Sequence, residues 1–378
     1  MTEVRRLEGT ALGDWDEAAV DVEGGHVLQS RAWAAHRQTT GWEPRFHVAG
    51  DARALVLVRG WPGIGGGSAY VPRGPVLAGA PWTGDGSGVR VGEALRALAV
   101  HLSDGGLDVL AADPEVAADD EAYRRALDAV GFHGIPEIQP SRHRMAIALP
   151  PGTDEAAVMD GIAKATRQRI RRAERDGVVV LRWDSGGNAP DAPGFHRTAE
   201  APDDALRRFY GLLRATGERR GFGFAGPEEF VAWWIRAHGA GHLVYLEARE
   251  GAADGDVLGG LVLYRHGRRL STAHSGDRAE RRRDHPGAMH LLRWRAIQLA
   301  LAEGRSEMDL GGVDVAGARR EPVEGEPTYG LYEHKKSFGA RWVALAGAQE
   351  RVARPWRYVL GRGLGRVGRA LGPARTAR

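Results

Sequence analysis

The sequence contains no cysteine, which excludes a disulfide framework, a thiolate metal site and a cysteine nucleophile. It has no run of about 18 apolar residues, and its N-terminus lacks the apolar core of a signal peptide. We therefore expect a cytoplasmic protein, at most peripheral at the inner face of the membrane. Lysine is scarce, and the abundance of glycine and arginine is as consistent with GC-rich coding as with function.

The remaining composition is that of an ordinary soluble protein, with 378 residues, 43% hydrophobic and 27% charged. This length is sufficient for two domains that each bury a core. The net charge is only +3, yet basic residues cluster at Arg167–Arg175, at Arg278–Arg283 and in the nearly acid-free tail Arg351–Arg378. Such clusters suit phosphate-bearing partners. The alternative for each is a solvated arginine surface.

The order of predicted elements suggests a duplicated domain. Pro150-Pro151-Gly152 separates two halves, and each half contains helices, a small meander of strands, a helix, a strand and a helix. This is the order of a GCN5-related N-acetyltransferase-like (GNAT-like) unit. We expect an α/β (α+β) fold with two tandem GNAT-like domains, residues 1–149 joined by the segment 343–378, and residues 150–342. The segment 203–241 is too short for a long coiled-coil arm.

In the first half, a predicted helix begins after Ser30, whose hydroxyl is a good N-cap. Trp33 and Arg37 lie four residues apart on this helix and share a face. The glycines between Gly63 and Gly67 are not a phosphate loop, because the lysine and serine of that motif are missing and a strand follows.

Two further segments of the first half suggest a cleft. Prolines confine the strand 69–76 to an edge or a bulge, so that Arg73 can project from it. Asp113 follows the apolar strand 107–112, and the carboxyl ends of strands are where sites tend to form. The alternative for Asp113 is an N-cap of a helix that starts at Pro114.

In the second half, residues 156–176 form a predicted basic helix. Further on, the strand 308–313 ends in the pair Gly311-Gly312. A short predicted helix then carries Lys335 and Lys336 between an aromatic pair and a Phe-Gly turn. A strand, a glycine turn and a lysine-bearing helix would present an ammonium group at a sheet edge. The alternative is a solvated Lys-Lys helix.

Taken together, these segments resemble the Fem family of aminoacyl-tRNA-dependent peptidyltransferases. The matching stretches lie in the same order along nearly the whole chain: Leu28-Gln29-Ser30 with Trp33, Gly41-Trp42, Tyr70 to Val76, Asp113-Pro114-Glu115, Arg167 to Gly177, Glu218 to Phe222, Ala273-His274-Ser275, Trp294, Asp309 to Gly312 and His334 to Gly339. The resemblance implies transfer of an amino acid from aminoacyl-tRNA to an amine, usually of a peptidoglycan precursor. An aminoacyl ester is already activated, so neither ATP nor another cofactor is expected.

The resemblance also implies roles for individual residues. Lys335 matches a lysine at the reaction centre, where it would stabilise the oxyanion or bind the tRNA terminus. Asp113 matches an acid near the acceptor amine, which it would deprotonate or orient. Arg37 and Arg219 fall where the family holds the acceptor's diphosphate. The remaining expected substrate-binding residues are Arg73, Tyr70, Trp33 and His334.

The sequence departs from the family at several positions. Arg37 stands where a lysine is common, His334 replaces a phenylalanine, and Asp108 and Thr272 occupy positions where tyrosines can line the acceptor site. No metal site is expected, because His274 and His334 lack a third ligand at sensible spacing.

Three alternatives remain open from the sequence. The acceptor could be a small peptide or an aminoglycoside-like natural product instead of a muropeptide. The donor could be an acyl-CoA, since residues 281–288 partly match a pyrophosphate loop. The basic patches could also serve a non-catalytic RNA- or membrane-binding protein. The C-terminal segment 355–378 is either an amphipathic helix that touches anionic lipid or a frayed basic tail.

Overall fold

The computed structural model describes residues 2–77, 86–185, 194–196, 198–220, 226–315, 317 and 319–371. The chain forms two compact units. The first comprises residues up to His143, a short piece that ends at Arg319, and the segment from Val343 onward. The second comprises Arg144–Val315 and Arg320–Trp342.

The first unit contains an eight-stranded sheet. Its strands are β1 (Val4–Leu7), β2 (Glu43–Ala49), β3 (Ala52–Gly60), β4 (Gly67–Val71), β5 (Val76–Leu77), β6 (Val109–Ala112), β7 (Phe132–Gly134) and β15 (Gln349–Val352). Their order in the sheet is β1-β2-β3-β4-β6-β15-β7, with β5 paired to β3. β4 and β6 are parallel, and β15 inserts antiparallel between β6 and β7. The helices are α1 (Trp15–Ala19), α2 (Arg31–Thr39), α3 (Ser87–Asp104), α4 (Glu121–Asp128) and α11 (Pro355–Leu371).

Both faces of the first sheet are covered. Along β3, Val56 belongs to the core formed with α3 and α4, while Leu55 and Leu57 belong to the core formed with α1 and α2. This alternation follows from the period of two in a strand. β3 is apolar on both sides because helices pack on both faces.

The second unit contains a seven-stranded sheet. Its strands are β8 (Arg144–Ala148), β9 (Val178–Asp184), β10 (Leu243–Glu250), β11 (Val257–His266), β12 (Arg269–Asp277), β13 (Glu307–Asp309) and β14 (Arg341–Val343). Their order in the sheet is β14-β8-β13-β12-β11-β10-β9. The helices are α5 (Glu155–Gly161), α6 (Lys164–Arg175), α7 (Pro202–Arg220), α8 (Pro227–Gly239), α9 (Ala288–Ala302) and α10 (Tyr329–Lys336).

The meander β10-β11-β12 forms the centre of this sheet. The turn between β11 and β12 places Gly267 and Arg268 at φ 57° and 59°, which is the backbone that a tight two-residue hairpin requires. α6 and α9 contribute to a core against one face of the sheet, with Ile170 and Leu291 almost fully buried. On α7 and α8, Phe209 and Trp234 pack against each other with tilted rings at a centroid distance of 5.4 Å.

The mixed α/β prediction is confirmed, and two details of the predicted organisation differ. The strand assigned to domain 1 around Met145 is β8, which pairs with β13 in the second sheet. Sheet membership depends on non-local pairing, so the Pro-Pro-Gly signal that follows the strand could not reveal it. The predicted helix 156–176 is two helices, because the buried Ile162 is extended and the N–H of Ala163 bonds Ser337 O at 2.8 Å.

No helix in the described residues is longer than the 19 residues of α7, and none there is long and apolar enough to cross a membrane. A long coiled-coil arm is therefore absent from this part of the chain, as the sequence predicts.

Candidate active site

Lys335 is a buried lysine in the last turn of α10, with 4% of its surface exposed. Its Nζ donates hydrogen bonds to Gly311 O at 2.9 Å and to Gly312 O at 3.1 Å. These carbonyls follow β13, where Gly311 adopts φ 80° and donates its own N–H to Asp309 Oδ1 at 2.7 Å. A protonated amine has three N–H groups, and these bonds use two of them. Lys335 itself is not among the residues that line the neighbouring pocket between β12 and α9.

Burial and, after it, the positive charge of Arg293 lower the pKa of Lys335 to about 7, while Asp309 and Asp314 oppose the shift. Both protonation states are therefore populated near neutral pH. The ammonium can donate a hydrogen bond or a proton to developing negative charge, and the neutral amine can accept a proton. Lys336 on the same helix is exposed and pairs with Glu333 at 3.7 Å.

His334 accepts a hydrogen bond at Nε2 from Arg293 Nε at 2.8 Å. Burial, together with the nearby Arg293, lowers its pKa to about 2, so the ring is neutral. Its ring also packs edge-on against His290 at a centroid distance of 4.7 Å. The Nε2 lone pair is thus already used. The described residues contain no group of three or more His, Cys, Asp or Glu that could hold a metal.

A pocket of about 430 Å³ opens in the second unit between the end of β12 and the start of α9. His334, His290 and Thr216 contribute to its lining, and five arginines dominate it: Arg169, Arg278, Arg281, Arg282 and Arg293. Carboxylates neutralise some of this charge, since Asp277 pairs with Arg282, and Glu250 pairs with Arg281. The pocket remains cationic, and arginine forks beside a helix N-terminus suit phosphate oxygens.

Of the other predicted residues of the second unit, Arg219 lies beside this pocket and does not line it. Its guanidinium bonds Thr216 Oγ1 at 3.1 Å and pairs with Asp277 at 3.3 Å. In the basic helix α6, only Arg169 reaches the pocket. Arg167 instead donates to carbonyls at the end of α5, including Ile162 O at 2.6 Å.

The first unit contains a separate pocket of about 620 Å³, on the sheet face covered by α2. Trp33, Arg37 and Tyr70 all line it. The Ser30 hydroxyl caps α2 by accepting from Trp33 N at 2.9 Å, and the Arg37 guanidinium lies 5.3 Å from the Trp33 ring centroid and 5.5 Å from that of Trp42. An arginine between two indoles forms a surface for a flat or anionic group.

Asp113 lies under this pocket at the end of β6 and is fully buried. Both carboxylate oxygens accept from Tyr70 Oη at 3.0 Å, and Oδ1 accepts from Arg73 N at 2.7 Å. Gln139 Nε2 donates to Tyr70 Oη at 2.8 Å. Burial raises the pKa of Asp113, and the Arg73 side chain opposes the shift.

This geometry makes Asp113 a residue that holds Tyr70 and the turn at Arg73, whose φ is 50°. The alternative of a helix N-cap is wrong, because the next helix is α4, which starts at Glu121 and is capped by Asp120. Arg73 does not line the pocket. Its guanidinium bonds Ser141 O at 2.7 Å.

Several residues of these sites were missed from the sequence. Arg293 is the most important, and its signal is a charge between the apolar Leu292 and Trp294 in a largely apolar helix. In the first unit, Glu350, Tyr358 and Arg362 line the pocket. Tyr358 Oη donates to both Glu350 carboxylate oxygens at 2.9 Å, and Arg362 donates to Tyr358 Oη at 2.8 Å.

Comparison with known proteins identifies the fold on which these sites are built. Residues 162–336 match the family model described as the acetyltransferase (GNAT) domain. The crystal structure of FemX superposes with a TM-score of 0.73 at 17% identity, over 95% of this chain and 100% of that one. This chain has the fold of FemX. The FemX fold supports the resemblance to the Fem family that the motifs indicate, and the tandem GNAT-like prediction is confirmed.

Two other solved structures are more distant. They are L-PGS from Bacillus licheniformis, at 12% identity over 86% of this chain and 91% of that one with a TM-score of 0.46, and a tandem GNAT protein from the clavulanic acid biosynthesis pathway, at 14% identity over 94% and 99% with a TM-score of 0.47. No curated protein sequence matches the chain.

Proposed function

We propose that this protein is an aminoacyltransferase that moves an amino acid from aminoacyl-tRNA to an amine of a peptidoglycan precursor. The observation that carries the proposal is the buried Lys335, held by two glycine carbonyls in a chain with the FemX fold. A desolvated ammonium is suited to stabilising the oxyanion of an acyl-transfer intermediate.

In the proposed reaction the acceptor nitrogen attacks the ester carbonyl, and the carbonyl oxygen becomes an oxyanion. The C–N bond forms, the ester C–O bond breaks, and the proton lost by the amine balances the proton gained by the ribose oxygen. Lys335, with its pKa lowered to about 7, can stabilise the oxyanion and exchange a proton with the leaving oxygen at neutral pH.

Each unit contributes a pocket to this proposal. The arginine-lined pocket of the second unit suits the phosphate-bearing end of the tRNA donor. The pocket of the first unit, with Trp33, Arg37 and Tyr70, suits the acceptor. Arg37 would bind an acceptor phosphate, and Asp113 would position Tyr70 without contacting the amine.

The deciding experiment offers tRNA charged with radiolabelled amino acids to the protein, together with lipid-linked or UDP-linked muropeptide. Label should move to the muropeptide and should not appear when uncharged tRNA and free amino acid are supplied. If no muropeptide accepts label while a small peptide or aminoglycoside-like amine does, the reaction class stands and the acceptor assignment is wrong.

A second candidate is an acyl-CoA-dependent N-acyltransferase. It is favoured by the GNAT-domain match over residues 162–336 and by the basic pocket between β12 and α9. Calorimetry separates the two functions, since micromolar binding of CoA would favour this candidate and its absence would favour the tRNA-dependent one.

A further inference from the structure

Helix α11 of the first unit exposes three large apolar side chains on one face. Trp356, Val359 and Leu360 have 68%, 71% and 46% of their surface exposed. Their spacing of three and four residues places them side by side along a helix. They are half of the six exposed large apolar side chains in the described part of the chain, so the surface is a concentrated patch and not a scatter of single residues.

The opposite face of α11 is fixed to the first unit. Arg357 Nε lies 3.4 Å from Asp108 Oδ1, and Tyr358 Oη bonds Glu350. Gly361 packs so closely that a Cβ there would lie 2.3 Å from the Trp61 ring. These contacts fix the rotation of the helix about its axis, so the patch of Trp356, Val359 and Leu360 cannot turn inward without breaking them.

The positive charge of this part of the sequence indicates an anionic partner. Between Arg351 and Arg378 the sequence has eight arginines and no aspartate or glutamate. An apolar helix face with a tryptophan, in a segment of uniformly positive charge, is suited to the boundary between headgroups and acyl chains of an anionic membrane. Arginines near such a surface add electrostatic attraction to the anionic headgroups.

We propose that α11 docks the protein on an anionic lipid bilayer through Trp356, Val359 and Leu360. Its inner face supplies Tyr358 and Arg362 to the pocket of the first unit. If that pocket binds the acceptor, which rests on the proposed function, a docked helix would hold the pocket beside a lipid-linked acceptor.

The test is co-sedimentation of the full chain with vesicles of phosphatidylglycerol and phosphatidylcholine, or of phosphatidylcholine alone. The wild type should bind the anionic vesicles, bind the neutral ones weakly and release at high salt. The triple variant Trp356→Ser, Val359→Ser and Leu360→Ser should bind at least about tenfold more weakly. Val323→Ser, which changes an exposed valine (55%) outside α11, should bind like the wild type.

Failure of the wild type to bind anionic vesicles, or equal binding by the triple variant, would overturn the proposal. A concentration-dependent dimer in the wild type that the triple variant lacks would assign the patch to a second copy and would also overturn it. Circular dichroism establishes that the variant is folded. Vesicle binding needs no tRNA, so it can succeed where aminoacyl transfer fails, and the two proposals are tested separately.

Discussion

Arg293 donates a hydrogen bond from Nε to Nε2 of His334 across 2.8 Å. The same guanidinium lowers the pKa of the neighbouring Lys335. Burial and this one arginine of α9 together therefore keep a histidine neutral and bring a lysine close to its point of half-protonation. This coupling connects the arginine-lined pocket, which Arg293 and His334 both line, to the buried amine.

Replacing Lys335 by methionine should lower the rate of transfer by about 100- to 1000-fold, the usual cost of removing an oxyanion donor. The measurement is kcat with labelled aminoacyl-tRNA and a fixed acceptor. Lys336→Met is the matched control, because Lys336 is the exposed neighbour on the same helix, and it should stay within about twofold of the wild type. Equal activity in the two variants would exclude Lys335 from the chemistry.

The same substitution should stabilise the protein. The folded pKa of Lys335, about 7, lies below its ordinary value of 10.5, so the unfolded chain binds the proton more tightly. The resulting destabilisation is fully present below pH 7 and disappears as the pH rises toward 10.5. Each unit of the pKa difference corresponds to about 1.4 kcal/mol. The destabilisation caused by the buried ammonium therefore exceeds the stabilisation from its two hydrogen bonds, which contribute about 1 kcal/mol each.

Thermal unfolding checks this expectation. Lys335→Met should raise Tm at pH 6.5 by roughly 2–4 °C, and the difference from the wild type should shrink at pH 9.5. A variant that melts below the wild type by the same margin at both pH values would contradict the prediction that the buried Lys335 ammonium destabilises the fold.

Arg293→Gln should move the pH profile of transfer. Removal of the positive charge raises the pKa of Lys335, because Arg293 is one of the causes that lower it. If the ammonium is the active form, the wild-type rate falls as the pH rises through about 7, and the variant should keep its rate to higher pH. Arg295→Gln, on the same helix but paired with Glu174 at 3.0 Å, is the control. If the pH profile of transfer is the same in Arg293→Gln as in the wild type, Arg293 does not control the protonation of Lys335.

In the first unit, Arg37→Gln should raise KM for the acceptor by about 10- to 100-fold with little change in kcat, the value of one or two charge-assisted hydrogen bonds. The physical reason is loss of the cation held between Trp33 and Trp42. Arg45→Gln provides the comparison, since Arg45 bonds Glu43 at 2.7 Å. A change in the KM for aminoacyl-tRNA instead would place the donor in this pocket.

Asp113→Asn should weaken the fold more than the chemistry. An asparagine Oδ1 can still accept from Arg73 N and Tyr70 Oη, but the Nδ2 that replaces Oδ2 is a donor, so the second contact with Tyr70 Oη and the negative charge are both lost. We expect a loss of about 1–3 kcal/mol in urea unfolding and a kcat within about tenfold of the wild type. A fall in kcat above a thousandfold with unchanged stability would instead make Asp113 the base.

The sequence was most informative where the signal was local. The capping serine of α2, the glycines after β13 and the short helix that bears Lys335 all follow from residues a few positions apart. The fold class could also be predicted, because it depends on the order of elements, which periodicity and turn residues reveal.

What sequence reasoning missed depends on contacts between distant segments. Arg293 lies 41 positions before His334, and no spacing rule connects them. Asp113 was expected near an acceptor, yet the parallel pairing of β4 with β6, which sets Val71 opposite Ala112, brings Tyr70 and Arg73 onto its carboxylate. Glu350 and Tyr358 line the pocket of the first unit because the chain returns to the first sheet after the second unit is complete.

The late return of the chain to the first sheet determines which of the two sheets is completed first during biosynthesis. β15 fills the gap between β6 and β7, so the sheet that begins with residue 4 lacks an interior strand until residue 352 has been made. The second unit, from Arg144 to Trp342, is almost contiguous in sequence and has all its strands earlier. On the ribosome, the first unit is therefore translated first but is the last to complete its sheet. A chain cut short before Gln349 would leave the edges of β6 and β7 unpaired and exposed to aggregation.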